Sequence, residues 1–298
     1  MSRRAGALRV AILGPRDGWH TQRLAAALAE RGHATQLVRV TRVLGRIDGT
    51  ALLHEGELAL GTFDVALVRG IPAGSLEQVI FRVDALHLLE AAGVTVVNAA
   101  RAIERTVDKF LASALLARAG VTTPRTIACQ NRVDALQAFE DLGGDVIVKP
   151  LFGAMGLGMA RVEDPDIAHR VFRALELERA VYYLQETIPH AGEDVRALVV
   201  GGSVVAAIRR TAPGWRVNLA GGATAHPVRL EAEREELCLR AAAALGAEVA
   251  GVDLLRASDG REYVIEVNGI PGWQGLERAT GVDVAGAVVR HIEALARS

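Results

Sequence analysis

Two apolar stretches near the C-terminus, Val249-Ala250-Gly251-Val252-Asp253-Leu254-Leu255 and Tyr263-Val264-Ile265-Glu266-Val267-Asn268, flank Ser258-Asp259-Gly260. A turn of that composition between β-rich runs predicts an antiparallel strand pair. Side chains alternate along a strand, so Glu266 and Asn268 share one face. If the strands pair across the turn, Asp253 faces the same point. Three oxygen ligands then converge, which is the hard donor set that Mg²⁺ prefers, with phosphate oxygens of a ligand filling other positions. Two carboxylates there without a cation would repel each other. The alternative is that each acid caps a strand or pairs with an arginine.

A second feature points the same way. The run Asp145-Val146-Ile147-Val148-Lys149-Pro150 predicts a strand, and Gly153-Ala154-Met155-Gly156-Leu157-Gly158 follows it. Glycines at 153, 156 and 158 let backbone amides approach and point at phosphate oxygens. A plain hairpin loop would read the same way. Lys149 ends an otherwise apolar strand, where its ammonium needs an anionic partner or a path to solvent. The loop is not a Walker loop, because no Lys-Ser/Thr follows. Gly14-Pro15-Arg16-Asp17-Gly18 does not fit the dinucleotide fingerprint.

The rest of the chain supplies a frame. Leu8–Leu13, Thr35–Val40, Asp64–Val68 and Val94–Val97 read as strands, with helices at Thr21–Arg31 and Leu76–Ala92 between them. That alternation predicts a small parallel α/β layer in the first hundred residues. Thr106–Ala119 reads as one Ala/Leu-rich helix, Val133–Leu142 and Glu231–Leu245 as two more, and Tyr182–Glu186 as a strand. Val195–Val200 and Ser203–Arg209 form a hairpin around Gly201-Gly202.

Composition narrows the function classes. The 298 residues are 50% hydrophobic, enough for ample cores, and the formal net charge of -1 argues against nucleic-acid binding. Cys129 and Cys238 are the only cysteines and form no CxxC, so a reducing, cytoplasmic setting without disulfides is expected. No signal peptide is read at the start, and no uninterrupted apolar run suits a membrane span. The histidines show no HxxH or HExxH spacing for zinc, and no Gly-x-Ser-x-Gly elbow marks a serine hydrolase. Arg69 follows a strand at the carboxyl edge of the first layer, where open α/β sheets bind ligands. Arg82, Arg209 and Arg216 are further cations whose forks suit carboxylates and phosphates. Each could equally be surface solvation.

The order of these features resembles the ATP-grasp superfamily, and within it the RimK group of α-L-glutamate ligases. The resemblance rests on Asp108-Lys109, Val146–Pro150 with its glycine loop, Gln185-Glu186-Thr187-Ile188, Asp194-Val195-Arg196, Gly251-Val252-Asp253 and Glu266-Val267-Asn268-Gly269-Ile270-Pro271-Gly272. It implies an α/β ATP-grasp fold, two α+β subdomains clamping ATP, preceded by a small parallel α/β domain. The implied division is 1–100, 101–187 carrying the glycine-rich lid, and 188–298 carrying the Mg²⁺ site. Lys109 and Lys149 then resemble the lysines that hold ATP phosphates, and Gln185, Glu186, Thr187 and Ile188 the hinge that reads adenine. Asp194 resembles the acid beside the nucleotide, and Arg210 the arginine that stabilises the transferring phosphoryl group. Arg216 and Asn218 resemble the Arg-x-Asn stretch lining the nucleotide site. Asp253, Glu266 and Asn268 match the ligands of two Mg²⁺ ions, with Mn²⁺ as a substitute.

The implied reaction makes an amide. A carboxylate attacks the γ-phosphorus to give an acyl phosphate and ADP, and an amine then displaces phosphate, with L-glutamate as the amine donor. The acceptor is a carboxylate on a small cofactor or a peptide end, and a homo-oligomer is expected. Arg69, Arg82 and Arg209 are the candidates for the substrate's carboxylates, and Trp273 offers a face for an aromatic acceptor or a core packing element. The stretch Gly269–Gly275 departs from the group's usual Ala-Ser-Pro-Gly-Leu-Glu-Gly, which leaves the acceptor open. The competing readings are an ATP-grasp ligase of D-alanine or lysine-pathway type and a nucleotide-binding regulatory module without turnover.

Overall fold

In the first hundred residues apolar runs that fit buried strands alternate with helices, and the result is a parallel sheet. The computed structural model describes residues 6–153, 157–215, 217 and 223–297. The chain begins with β1 (Arg9–Leu13), α1 (Trp19–Glu30) and β2 (Ala34–Val38). An antiparallel set, β3 (Leu44–Asp48), β4 (Thr50–Glu55) and β5 (Leu58–Ala59), precedes β6 (Val65–Val68), α2 (Leu76–Ala91) and β7 (Thr95–Val97). The parallel sheet runs β2-β1-β6-β7. Helix α2 starts where it does because Ser75 and Gln78 form a reciprocal capping box. The small β3-β4-β5 sheet goes beyond the sequence reading, since Leu44-Gly45-Arg46-Ile47-Asp48-Gly49 has no apolar alternation to reveal it.

The expected single helix from Thr106 is two helices, α3 (Ala100–Val107) and α4 (Lys109–Arg118). The break has a local cause: the Asp108 carboxylate accepts from the Leu111 amide and caps a new helix. Lys109 thereby becomes the first residue of α4.

The middle of the chain forms β8 (Thr126–Cys129), α5 (Arg132–Asp141), β9 (Val146–Lys149), β10 (Ala160–Val162), α6 (Pro165–Leu177) and β11 (Tyr182–Glu186). Its sheet runs β10-β9-β11-β8, with Thr126 opposite Gln185 where the chain enters and leaves. Phe139, Phe172, Tyr182 and Leu184 belong to a core of its own.

The last sheet is β14-β13-β12-β15-β16, built from β12 (Glu193–Val200), β13 (Ser203–Thr211), β14 (Thr224–Pro227), β15 (Val249–Arg256) and β16 (Glu262–Asn268). Helix α7 (Ala232–Leu245) covers one face together with α4, whose Ala112 and Leu116 share a core with Cys238 and Leu245. Helices α8 (Gln274–Thr280) and α9 (Val284–Leu295) cover the other. Here the first and last sheets meet: Ile12, Leu24 and Leu67 pack in one core with Leu198, Trp273 and Ile292. Asn98 locks the junction, donating to the carbonyls of Val249 (2.7 Å) and Gly269 (2.5 Å) and accepting from the Val249 amide (2.8 Å).

Candidate active site

A cavity of about 360 Å³ lies between the middle sheet and the last sheet, with α4 at its side. One wall is built around Lys149, the last residue of β9. Its Nζ donates to Gln185 Oε1 at 2.5 Å, and Gln185 Nε2 in turn donates to Thr126 Oγ1 (3.1 Å) and the Tyr183 hydroxyl (3.3 Å). Tyr183 and Ser113 share a further bond of 2.8 Å. Burial pushes the Lys149 ammonium down to about 8, against the pull of Glu266. Lys109, also lowered by burial, donates from Nζ to the carbonyl of Gly153 at 2.8 Å. The two ammonium groups therefore border one cavity, and Glu266 favours the charged form of each. Gly153 and Gly158 have φ of 149° and 74°, a region that favours glycine. Gly156 lies outside the described residues, as do Arg216 and Asn218.

Gln185, Glu186, Thr187 and Ile188 line the cavity on its inner edge. The Glu186 amide is used by the Arg125 carbonyl (2.9 Å), and the Thr187 amide and hydroxyl are held by Asp145. Ile188 packs on Leu255, Ala257 and Tyr263, which joins the middle unit to the last sheet.

The opposite wall follows from strand register. Asp194 pairs with Arg210, Arg196 with Asp253, Asp253 with Glu266, and Gly251 with Asn268. Cross-strand partners point to the same face, so these side chains form one polar array on the cavity side. Arg210 donates to both Asp194 oxygens at 2.7 Å and reaches Asp253 at 3.1 Å. Burial would lower its pKa, but Asp253 and Asp194 outweigh it and hold the guanidinium protonated. Arg196 donates from one nitrogen to both oxygens of Asp253, at 3.1 and 3.2 Å. Gly251 leaves room beneath it: a Cβ there would stand 2.6 Å from an Arg196 guanidinium nitrogen and push that group aside. Glu266 is exposed, and Asn268 accepts from the Ile270 amide with its Oδ1 at 2.9 Å. Two carboxylates and a carboxamide make an all-oxygen donor set that fits a hard divalent ion. Among the described residues no group of three His, Cys, Asp or Glu could hold a metal.

The arginines expected to meet the substrate lie elsewhere. Arg82 is buried with its guanidinium on the carbonyls of Pro72 (2.6 Å) and Ala73 (3.3 Å). Arg69 donates to the Pro271 carbonyl at 2.7 Å and stacks 4.3 Å over the Trp273 ring. Arg209 points to the other face of β13 from Arg210 and approaches Glu193 at 3.9 Å in an exposed pair. None of the three lines the cavity. Trp273 is 2% exposed, with Arg69 over its ring and His20 edge-on at 4.7 Å, so it is a core residue and offers no open face. His20 accepts from the Trp273 amide at 2.9 Å, and burial followed by Arg69 pushes its imidazole down to about 4.

Arg196, Tyr183, Ser113 and His190 also line the cavity, and the sequence pattern assigns none of them a role. Strand alternation alone places Arg196, two residues after Asp194, on the same face.

Comparison with known proteins matches residues 106–292 to the RimK-like ATP-grasp domain. The chain belongs to the RimK-like ATP-grasp family. It is an ATP-grasp ligase that forms C–N bonds. The tetrahydromethanopterin:alpha-L-glutamate ligase of Methanosarcina acetivorans is 35% identical over 95% of this ligase and 98% of its own length. A probable alpha-L-glutamate ligase of Teredinibacter turnerae is 37% identical over 97% of both chains. Among solved structures, a RimK domain ATP-grasp protein from Sphaerobacter thermophilus matches with a TM-score of 0.73 at 26% identity, covering 95% of the ligase and 99% of that chain. The ATP-grasp ligase PsnB, complexed with a minimal precursor, matches with a TM-score of 0.76 at 22% identity, over 96% and 98%. The architecture is the ATP-grasp fold with a small α/β domain before it. No helix among the described residues is long and apolar enough to cross a membrane.

Proposed function

We propose that this ligase uses ATP and Mg²⁺ to add L-glutamate, through its amine, to a carboxylate on a small cofactor or a peptide. The observation that carries the reading is the cavity in which Lys109 and Lys149 border Glu266 and Asp253. An amine does not displace oxide from a carboxylate at useful rates, so the carboxylate is first phosphorylated by ATP and the amine then displaces phosphate. Lys109 and Lys149 hold phosphates, Glu186 and Ile188 present backbone groups to adenine, and Arg210 balances charge on the group in transfer. Asp253, Glu266 and Asn268 would hold two magnesium ions, whose charge offsets that of the phosphates. Gly153 and Gly158 belong to a lid that excludes water from the acyl phosphate.

Three units, 1–100, 101–187 and 188–298, carry these roles. The separate core of the middle sheet supports the central unit, while α3 and α4 pack toward the last sheet. For the carboxylates of glutamate, the described arginines that border the cavity are Arg196 and Arg210. The names of the curated relatives favour glutamate as donor, and two different solved neighbours were captured with precursor peptides. The test is incubation with ATP, Mg²⁺ and labelled L-glutamate, against both pterin-type cofactors and peptides, with ADP and product mass measured. Glutamyl mass added to a cofactor selects that acceptor, and the same gain on a peptide selects the other. Incorporation of a different amino acid overturns the donor, and no ADP with any pair overturns the whole reading.

A further inference from the structure

The three-stranded sheet in the first hundred residues ends in an open edge. Strand β3 is exposed along its whole length, and it carries neither proline nor lysine to keep another strand away. Gly45 looks onto the Phe81 ring of α2, so Gly45 and Ile47 face the α2 side and Arg46 and Asp48 the other. Ile47 is 89% exposed, and Phe81 and Ile80 of α2 are also exposed. Among the described residues, neither Arg46 nor Asp48 meets an oppositely charged side chain.

We propose that β3 pairs antiparallel with β3 of a second copy of this chain, about a two-fold axis at Ile47. The argument is self-complementary charge. With the axis at Ile47, Arg46 stands opposite the partner's Asp48 and Asp48 opposite the partner's Arg46, giving two cross-strand ion pairs on one face. On the other face Ile47 meets its own copy, with Phe81 of each chain beside the seam. An axis at Arg46 would instead set two guanidinium groups against each other. The interface is isologous and closes, joining two three-stranded sheets into one of six. It lies away from the cavity, which none of the residues 44–48 lines.

Sedimentation equilibrium on the full chain tests this, with circular dichroism to verify folding of each variant. Wild type is expected to be a dimer, and Arg46→Asp and Asp48→Arg, each alone, to lose dimer affinity at least tenfold. Mixing the two single variants restores a dimer, because every facing pair is then of opposite sign, and the double variant restores it within one chain. ADP-forming turnover stays unchanged throughout. A monomeric wild type, or single variants that remain dimeric, overturns the interface. Single variants that dissociate but are rescued neither by mixing nor by the double exchange overturn the register.

Discussion

Asp253 and Glu266 stand directly opposite each other on β15 and β16, yet Asp253 is 5% exposed and held by two arginines while Glu266 is exposed. One carboxylate is thus fixed in place before any ligand arrives, and the other is open to the cavity. Their separation in role follows from the neighbouring strand, since β12 lies against β15 and supplies Arg196.

Glu266→Gln keeps the shape and hydrogen-bonding capacity of an exposed side chain while removing its charge. The fold should persist, and ADP formation should fall about 10²-fold or more, on the order of 2.7 kcal/mol in barrier. Steady-state coupled assays at saturating Mg²⁺ measure this. Turnover within about threefold of wild type, ~0.6 kcal/mol, would remove Glu266 from the site.

Lys149 makes ATP binding sensitive to alkali. Burial holds its pKa at about 8, below the 10.5 of a free lysine, so the ammonium is charged below pH 8 and neutral above it. Phosphates favour the charged form, and affinity for ATP should therefore be highest below pH 8 and decline as pH rises through it. The slope can reach, at most, about tenfold per pH unit for one proton. Calorimetric titrations between pH 7 and 9 read it out. Lys149→Arg stays charged throughout and should flatten the profile; an equally steep profile in that variant assigns the titration elsewhere.

Arg210 ties Asp194 and Asp253 together inside the protein. Arg210→Ala leaves two buried carboxylates short of a partner and should cost about 3–5 kcal/mol of stability as well as turnover. The paired change Arg210→Met with Asp194→Leu should recover most of the stability and none of the turnover. Urea denaturation alongside ADP assays separates the two effects. A single variant that loses turnover at full stability would show Arg210 to be held by something other than this pair.

The hairpin of β15 and β16 was legible because its acids interrupt apolar strands at alternating positions around a turn. The Lys149 strand was legible for the same reason, with one cation against an apolar run. What stayed hidden was partner choice. Arg69 does follow a strand end, as expected, but Trp273 and Pro271, some two hundred residues away, occupy its guanidinium. Arg82 looked equally available until the carbonyls of the preceding loop took it. Local pattern tells which face a side chain is on, whereas the chain that covers that face comes from tertiary packing. Asp108 shows a smaller case, where an N-cap inside an apparently continuous helical run divided it.

Thr126 and Gln185 are ladder partners, so the middle unit leaves and rejoins the rest of the protein through two neighbouring strands, about 5 Å apart. Its chain ends are adjacent, as they are in a domain inserted into another by recombination. A short loop could bridge that gap, so residues 127–184 form an excursion whose two ends a single turn could join. The outer parts cannot be divided in this way. Cutting at residue 100 would strip Trp273 and Ile292 of the apolar strands that cover them, and neither fragment would have a complete interior.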